Sequence, residues 1–450
     1  QVTATPNAIA VVFEDQEMSY EELDKASNKL AHYLNSLGVL QEELVPICLD
    51  RSLDFIVAML GVMKSGGAYV PISIDYPKDR IAFILEDISA RFLISDENIL
   101  SLIDENTLDI RFILLDKNKD EIASHSTTAL PIPIISNQLL YLIYTSGTTG
   151  QPKGVLLTHQ NVVRLFYNDE NVYDFNASDV WTMFHSYAFD FSVWEMYGAL
   201  LFGGKLVIVP TSFTRDPALF ASLLEGEKVT VLNQTPSSFN AMQSDLIDQD
   251  RKLEVRYLIF GGEALSPNMV KPWIASYPFC KVVNMYGITE TTVHTTYKLI
   301  GTAEISSNRS NMDEYQHLVP KGVMGELYVF GHGLARGYLN REELTKERFV
   351  FLDLDGTGVK RFYRSGDLAR MTTTGELEYF GRKDNQVKIR GYRIELEEIT
   401  AKLDQMDKID QALVVVKGND LNRFLLCYYV AATKISAGEI QKELLMELPE

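Results

Sequence analysis

Six consecutive apolar residues, Leu139, Leu140, Tyr141, Leu142, Ile143 and Tyr144, run directly into Thr145-Ser146-Gly147-Thr148-Thr149-Gly150-Gln151-Pro152-Lys153-Gly154. The apolar run has the length and the aromatic content of a buried strand. The ten residues after it hold three glycines, four hydroxyls and one lysine. Glycines let backbone N–H groups converge on an anion, hydroxyls add donors and the lysine adds charge. That is chemistry for holding phosphate. It is not the Walker loop, because Pro152 stands where a second glycine is required and no Gly-Lys-Ser/Thr triplet follows. A flexible linker is the alternative, but linkers rarely abut a strand with hydroxyls at nearly every other position.

The rest of the chain supplies a fold for that strand. Ser19 and Glu22 form a capping box before Leu23, Ala26, Leu30 and Leu34 at helical spacing. Residues 45–49 and 92–94 read as strands, and 55–64 as a buried helix. Ser192 and Glu195 read as a second capping box opening a helix, which leaves Asp190 ahead of it free. Apolar runs at 206–209, 229–232 and 257–260 suit a buried sheet. Alternation of this kind implies α/β architecture: a large N-terminal core of layered α/β sheets over residues 1–380, including a smaller β-rich unit from 325 to about 379. Residues 303–316, rich in Ser and Asn, read as a polar surface loop. Residues 381–386 read as a hinge or linker, and 387–450 as a small, truncated α+β C-terminal subdomain.

Composition removes several classes of function. With 450 residues and a formal net charge of −19, the chain lacks the basic face that nucleic acid requires, so no nucleic-acid partner is expected and a tRNA-charging enzyme is disfavoured. Cys48, Cys280 and Cys427 lie far apart without metal-type spacing, as reduced thiols of a cytoplasmic protein would. The longest apolar run, 55–63, is too short to span a membrane. The chain opens on Gln1 rather than Met, so it is expected to be excised from something longer.

The phosphate loop resembles that of the adenylate-forming superfamily, which includes acyl-CoA synthetases, luciferases and the adenylation domains of nonribosomal peptide synthetases. Further stretches, in the same order as in the last of these, are Lys64-Ser65-Gly66-Gly67-Ala68-Tyr69-Val70-Pro71, Phe189-Asp190-Phe191-Ser192-Val193-Trp194-Glu195-Met196, Asn284-Met285-Tyr286-Gly287-Ile288-Thr289-Glu290-Thr291-Thr292, Tyr363-Arg364-Ser365-Gly366-Asp367-Leu368, and Gly381-Arg382-Lys383-Asp384 with Arg393-Ile394-Glu395. The resemblance implies attack of an amino-acid carboxylate on the α-phosphorus of ATP, with release of pyrophosphate. It implies that Thr145, Ser146, Gly147, Thr148, Thr149, Gly150 and Lys153 hold the phosphates and that Glu290 binds Mg²⁺, Lys153, Thr145, Thr148 and Glu290 being the catalytic set. Gly262, Glu263, Ala264, Asn284, Tyr286, Gly287 and Thr289 then line the nucleotide, with Tyr286 stacked on adenine. Asp367 binds the ribose hydroxyls and Arg382 contacts ribose or phosphate. The nucleophile is already ionised, so the protein's task is alignment and charge neutralisation.

By the same resemblance Asp190 pairs with the substrate ammonium, and the side-chain pocket is Asp190, Phe191, Trp194, Asn233, Ile259, Gly261, Met285, Val293 and His294. Two rings and Met285 leave little volume, Asn233 and His294 can bond a hydroxyl, and Val293 and Ile259 suit a methyl. That is L-threonine, with serine next because one methyl discriminates by only about 1–3 kcal/mol. Asp384 resembles the hinge about which the C-terminal part turns, bringing 388–391 to the active site when the phosphopantetheine thiol of a carrier protein takes the aminoacyl group. A condensation domain, and an MbtH-like protein, are further partners in such assemblies. Two departures stand out. Ile288 occupies a position where proline is usual, and no Pro-x-x-x-Gly-Lys-type lysine motif occurs before Glu450. The 450-residue chain is therefore expected to exchange pyrophosphate weakly, and a chain extended past Glu450 to recover. An acyl- or aryl-CoA ligase of the same fold and a non-catalytic module that binds ATP and an amino acid remain as alternatives.

Overall fold

The computed structural model describes all residues except 101–109, 148–150, 169–171, 248–250, 302–319, 354–357, 374, 390, 419–422 and 449–450. Thr148, Thr149 and Gly150 of the phosphate loop, and the loop expected at 303–316, therefore lie outside the described residues. The opening run is the strand Leu139–Thr145, buried from 139 to 144. It belongs to a seven-stranded sheet in the order Gly337–Tyr338, Lys153–Thr158, Leu139–Thr145, Ala68–Pro71, Leu44–Ile47, Phe92–Ser95, Arg111–Leu114. The last five run parallel. Lys153–Thr158 returns antiparallel, which sets Lys153 opposite Thr145. The lysine and first threonine of the glycine-rich segment thus face each other where the two strands end.

A second, eight-stranded sheet carries Lys281–Asn284, Tyr257–Phe260, Val231–Gln234, Val180–Met183 and Lys205–Ile208 as a parallel centre. Asn233 is registered with Ile259, and Phe260 with Asn284, at the carboxyl ends of adjacent strands. Open parallel sheets bind ligands just beyond those ends. The helices Leu53–Lys64 and Asp190–Phe202 are buried over most of their residues, which is why their sequences show no broad polar face. Their side chains join both sheets in one core. The Arg51 guanidinium fastens them further, donating to the carbonyls of Met183 (3.0 Å), Phe184 (2.8 Å) and Val209 (2.9 Å).

The capping box at Ser19 and Glu22 forms as expected. The second one does not. The helix starts at Asp190 with Phe189 as an N-cap that offers no side-chain bond. Ser192 then lies inside the first turn, where its hydroxyl donates to the Phe189 carbonyl at 2.7 Å. Glu195, fully buried, turns instead to the backbone N–H of His185 (3.1 Å) and to that residue's Nδ1 (2.9 Å). Asp190 is thereby a first-turn acid, favoured by the helix dipole.

The β-rich unit is an antiparallel sheet of Met324–Phe330, Lys360–Met371, Phe349–Leu352 and Leu377–Arg382. Because the last strand runs through Arg382, the first two residues of the expected 381–386 linker are sheet, and the bend is confined to 383–386. Beyond it come the hairpin Val387–Ile389 and Tyr392–Ile394, the helix Leu396–Asp404, the strands Gln411–Lys417 and Phe424–Val430, and the helix Ala437–Glu447. Leu403, Ile409, Val414, Ile435 and Ile440 give this part its own small core. No helix among the described residues is long and apolar enough to cross a membrane.

Candidate active site

The site is built where the backbone leaves the strand Lys281–Asn284, turns, and folds back on itself. The N–H groups of Thr295 and Thr296 donate to the Tyr286 carbonyl at 2.7 and 3.1 Å. Gly287 makes the crossing feasible, since a Cβ there would stand 2.0 Å from the Val293 carbonyl oxygen. Thr292 and Val293 both sit in the left-handed region, at φ 59° and 60°. For β-branched residues this costs roughly 1–3 kcal/mol each, so the surroundings must hold it. Glu290 and Thr289 stand on one side of this strained pair and His294 on the other.

Glu290 is 0% exposed. Its Oε2 accepts from Arg393 Nη1 at 2.7 Å. Its Oε1 accepts from the Tyr338 hydroxyl at 2.8 Å and lies 3.3 Å from Lys153 Nζ. Burial alone would raise the carboxyl's pKa, but the Arg393 guanidinium, then the Lys153 ammonium and the Tyr338 hydroxyl, hold it well below the ordinary range. Lys153 is pulled down to about 8, first by burial and then by Arg393. A single carboxylate backed by phosphate and water suits Mg²⁺, and the described residues hold no cluster of three or more acidic, His or Cys ligands. Glu290 is the carboxylate that would hold such an ion, with Lys153 and Arg393 now paired to it. Thr289 is buried beside it.

At the neck of the phosphate hairpin, Thr145 Oγ1 is buried without a partner among the described residues, as a donor awaiting an anion would be. Ser146 Oγ donates to the Arg393 carbonyl at 2.8 Å, and Gly147 follows it at the edge of the described residues. Across the cleft Gly262, Glu263 and Ala264 form the loop after the strand Tyr257–Phe260. The Glu263 carboxylate accepts from the Ser237 N–H (2.9 Å), the Ser237 hydroxyl (2.9 Å) and the Gly391 N–H (2.7 Å). The Tyr286 hydroxyl donates to Asp367 Oδ2 at 2.5 Å, and Arg382 Nη1 to Asp367 Oδ1 at 3.2 Å. Arg382 also grips Asp384 through Nε (2.6 Å) and Nη2 (2.8 Å). The expected ribose carboxylate and the expected hinge thus share one guanidinium. Lys388 Nζ reaches to 3.4 Å from the Gly287 carbonyl, and the Tyr392 ring meets Phe189 edge-on, so the hairpin at 387–394 closes the site.

Of the nine residues expected to line the side-chain pocket, Phe191, Trp194, Asn233, Gly261 and His294 touch one another. Trp194 Nε1 donates to Asn233 Oδ1 at 3.0 Å. His294 sets its ring edge-on to Trp194 and Phe191, with centroids 4.9 and 5.3 Å apart. Gly261 faces His294 and Phe191, and Ile259 is registered beside Asn233. Met285 receives the Tyr173 hydroxyl on its sulfur at 2.9 Å, and Val293, next to His294 in the chain, is buried. Within this wall Asn233 Nδ2 and both His294 ring nitrogens are buried with no partner among the described residues. Burial, then the Arg164 charge, lowers the His294 pKa to about 3, so the ring is neutral, with one donor and one acceptor nitrogen.

Asp190 is raised above the ordinary carboxyl range by burial, against the pull of the Thr289 hydroxyl and the Lys388 ammonium, with Glu290 adding repulsion and Arg393 attraction. An ammonium ligand pairs only with the ionised form. Affinity for an amino acid is therefore expected to fall on acidification through this raised pKa, by about tenfold per pH unit below it, before ordinary carboxyls near pH 4 titrate. Binding titrations from pH 5 to 8 check this, with Asp190→Asn flattening the profile.

Tyr338 and Arg164 had no sequence signal of their own, and Arg393 stood in the Arg393-Ile394-Glu395 stretch without an expected role. Arg393 reaches Glu290 only because the C-terminal part packs on the core, and Tyr338 only because the strand Gly337–Tyr338 pairs with Lys153–Thr158.

Residues 1–339 match the family described as AMP-binding enzyme. The dimodular nonribosomal peptide synthase of Bacillus subtilis (strain 168) is 44% identical over 476 residues, covering 100% of this chain and 20% of its own. Syringomycin synthase SyrB1 of Pseudomonas syringae pv. syringae is 40% identical over 452 residues, covering 96% of this chain and 72% of its own. The chain thus spans a small part of the first of these relatives and most of the second. Among solved structures, NpsA-ThdA, an artificially fused adenylation–PCP di-domain NRPS from Klebsiella oxytoca, superposes with a TM-score of 0.85 at 24% identity over 100% of this chain and 90% of its own. The nonribosomal peptide synthetase FmoA3 does so with 0.77 at 26% over 85% and 42%. The chain belongs to the AMP-binding enzyme family, as an ATP-dependent adenylating ligase of the nonribosomal peptide synthetase type.

Proposed function

We propose that this chain activates L-threonine with ATP, giving threonyl-AMP and pyrophosphate, and passes the threonyl group to the phosphopantetheine thiol of a carrier protein. One observation carries the substrate choice: the pocket wall presents Asn233 Nδ2 and a neutral His294 ring as buried, unpartnered polar groups. Such groups are costly until a ligand satisfies them. A hydroxyl answers both at once, donating to the acceptor nitrogen of His294 and accepting from Asn233, while Val293 and Ile259 receive the methyl. Asp190 takes the α-ammonium. The carboxylate attacks the α-phosphorus, held by Thr145, Ser146, Gly147, Thr148, Thr149, Gly150 and Lys153. Gly262 to Ala264, Asn284, Tyr286 and Gly287 line the adenosine, with Asp367 and Arg382 at the ribose. Mg²⁺ on Glu290 supplies charge neutralisation to the phosphates.

The arrangement with Lys388 at Gly287, Gly391 at Glu263 and Asp384 clamped by Arg382 fits the state in which the thiol is served, with Asp384 as the hinge. A carrier protein is the thiol donor, and a condensation domain and an MbtH-like protein are the further partners proposed.

The test is a binding panel on the 450-residue chain with ATP and Mg²⁺. L-threonine is expected to bind tightest, L-serine about tenfold weaker, and L-valine, of equal shape without the hydroxyl, at least about a hundredfold weaker. Equal binding of valine and threonine overturns the substrate. Transfer to coenzyme A in place of a carrier thiol would favour an acyl-CoA ligase.

A further inference from the structure

Arg164 enters the chemistry above only through its charge on His294, yet its guanidinium is bonded to the active-site backbone itself. It lies in the helix His159–Phe166. Its Nη2 donates to the carbonyls of Thr291 at 2.6 Å and Thr292 at 3.1 Å. Its Nε is buried with no partner among the described residues. Burial pulls its pKa down to about 10, which still leaves a cation at neutral pH.

The two carbonyls it grips sit between Glu290 and the pair Val293–His294, on the stretch where Thr292 and Val293 are in the left-handed region. A backbone that resists its own conformation needs restraint, and Arg164 acts beside others, among them the Ala335 N–H on the Glu290 carbonyl at 2.9 Å and the Thr292 N–H on the Thr289 carbonyl at 3.0 Å. The Thr292 hydroxyl donates to the Gly333 carbonyl at 2.7 Å, and the Thr292 carbonyl also accepts the His294 N–H at 2.7 Å. Gly333 is shaped around the guanidinium itself, because a Cβ there would stand 2.4 Å from Arg164 Nη2.

We propose that Arg164 is a positioning residue. Through the carbonyls of Thr291 and Thr292 it sets Glu290 on the nucleotide side and Val293 with His294 on the side-chain side, so that metal–nucleotide binding and amino-acid selection are coupled in one strained segment. The proposal rests on reading this pocket as an amino-acid site. A lysine cannot replace the fork, since an ammonium is a point donor on a flexible stem.

The experiment compares Arg164→Lys and Gly333→Ala with the parent 450-residue chain, by titration calorimetry with L-threonine, with L-valine, and with ATP at rising Mg²⁺. Displacing the segment is expected to weaken L-threonine by about tenfold, to shrink the threonine-over-valine ratio, and to raise the Mg²⁺ needed for half-maximal ATP binding, all together. A purely structural role would lower the melting temperature and leave the dissociation constants and their ratio unchanged, which overturns the proposal. So would a loss confined to threonine or to Mg²⁺ alone. Should Arg164→Lys fail to fold, Gly333→Ala decides, since it displaces the guanidinium without removing it. A parent chain that binds ATP but no amino acid would remove the substrate reading and the coupling with it, and shows before any substitution is made.

Discussion

Asp190→Asn is expected to bind ATP as the parent chain does and to lose L-threonine by a factor of about 10²–10³. The substitution keeps the shape of the side chain and deletes its charge, so the α-ammonium enters a half-buried site without a counter-ion. Removing one partner of a close, hydrogen-bonded charge pair costs about 2–5 kcal/mol, and about 3–4 kcal/mol corresponds to that factor. Stability should move the other way. A carboxyl whose folded pKa is raised, as burial raises Asp190, costs stability at every pH above that value, because the folded state resists the charge. Deleting the charge removes the cost, and the melting temperature at pH 7 should hold or rise. Weakened threonine binding therefore cannot be put down to partial unfolding. Unchanged affinity for threonine would place Asp190 outside the recognition chemistry.

Glu290→Gln is expected to do the opposite to stability. Here the folded pKa is depressed, with Arg393, Lys153 and Tyr338 outweighing burial. Such a group stabilises fully above its unfolded pKa, near 4.3, and the contribution fades as pH falls through the lower folded value. Replacing it leaves the two cations facing a neutral amide in a dry site, a loss of about 3–5 kcal/mol for a buried pair. Thermal melts at pH 7 should show a large drop, and melts between pH 5 and 3 should show a shallower acid limb than the parent. ATP affinity should also lose its Mg²⁺ dependence. An unchanged melting temperature with an unchanged acid limb would mean that the carboxylate is not paired in solution as it is here.

How far these features were legible beforehand depended on whether they were local. The strand before the phosphate loop, the helix expected over 55–64 and the Ser19–Glu22 cap follow from spacing and chemistry within a few residues, and the structure shows them, the helix starting two residues earlier at Leu53. The second cap failed for an instructive reason. Ser192 and Glu195 have the right spacing, but Phe189 sets the helix start and His185 claims the carboxylate, and tertiary partners outweigh a local pattern. The pocket set could be assembled from order along the chain, and five of its members, Phe191, Trp194, Asn233, Gly261 and His294, touch one another in the fold. What could not be read was the traffic around Glu290, because Arg393 lies 103 positions away and meets it only through docking of the C-terminal hairpin. The strain at Thr292 and Val293 was equally invisible, since β-branched residues are the last expected at positive φ.

The indole of Trp194 has an effect beyond filling space. By donating to Asn233 Oδ1, it occupies one of the two lone pairs of that oxygen and fixes the rotation of the amide, which leaves Nδ2 as its unpartnered end among the described residues. On the proposed reading of the pocket, a side chain that brings lone pairs finds a fixed donor at Nδ2.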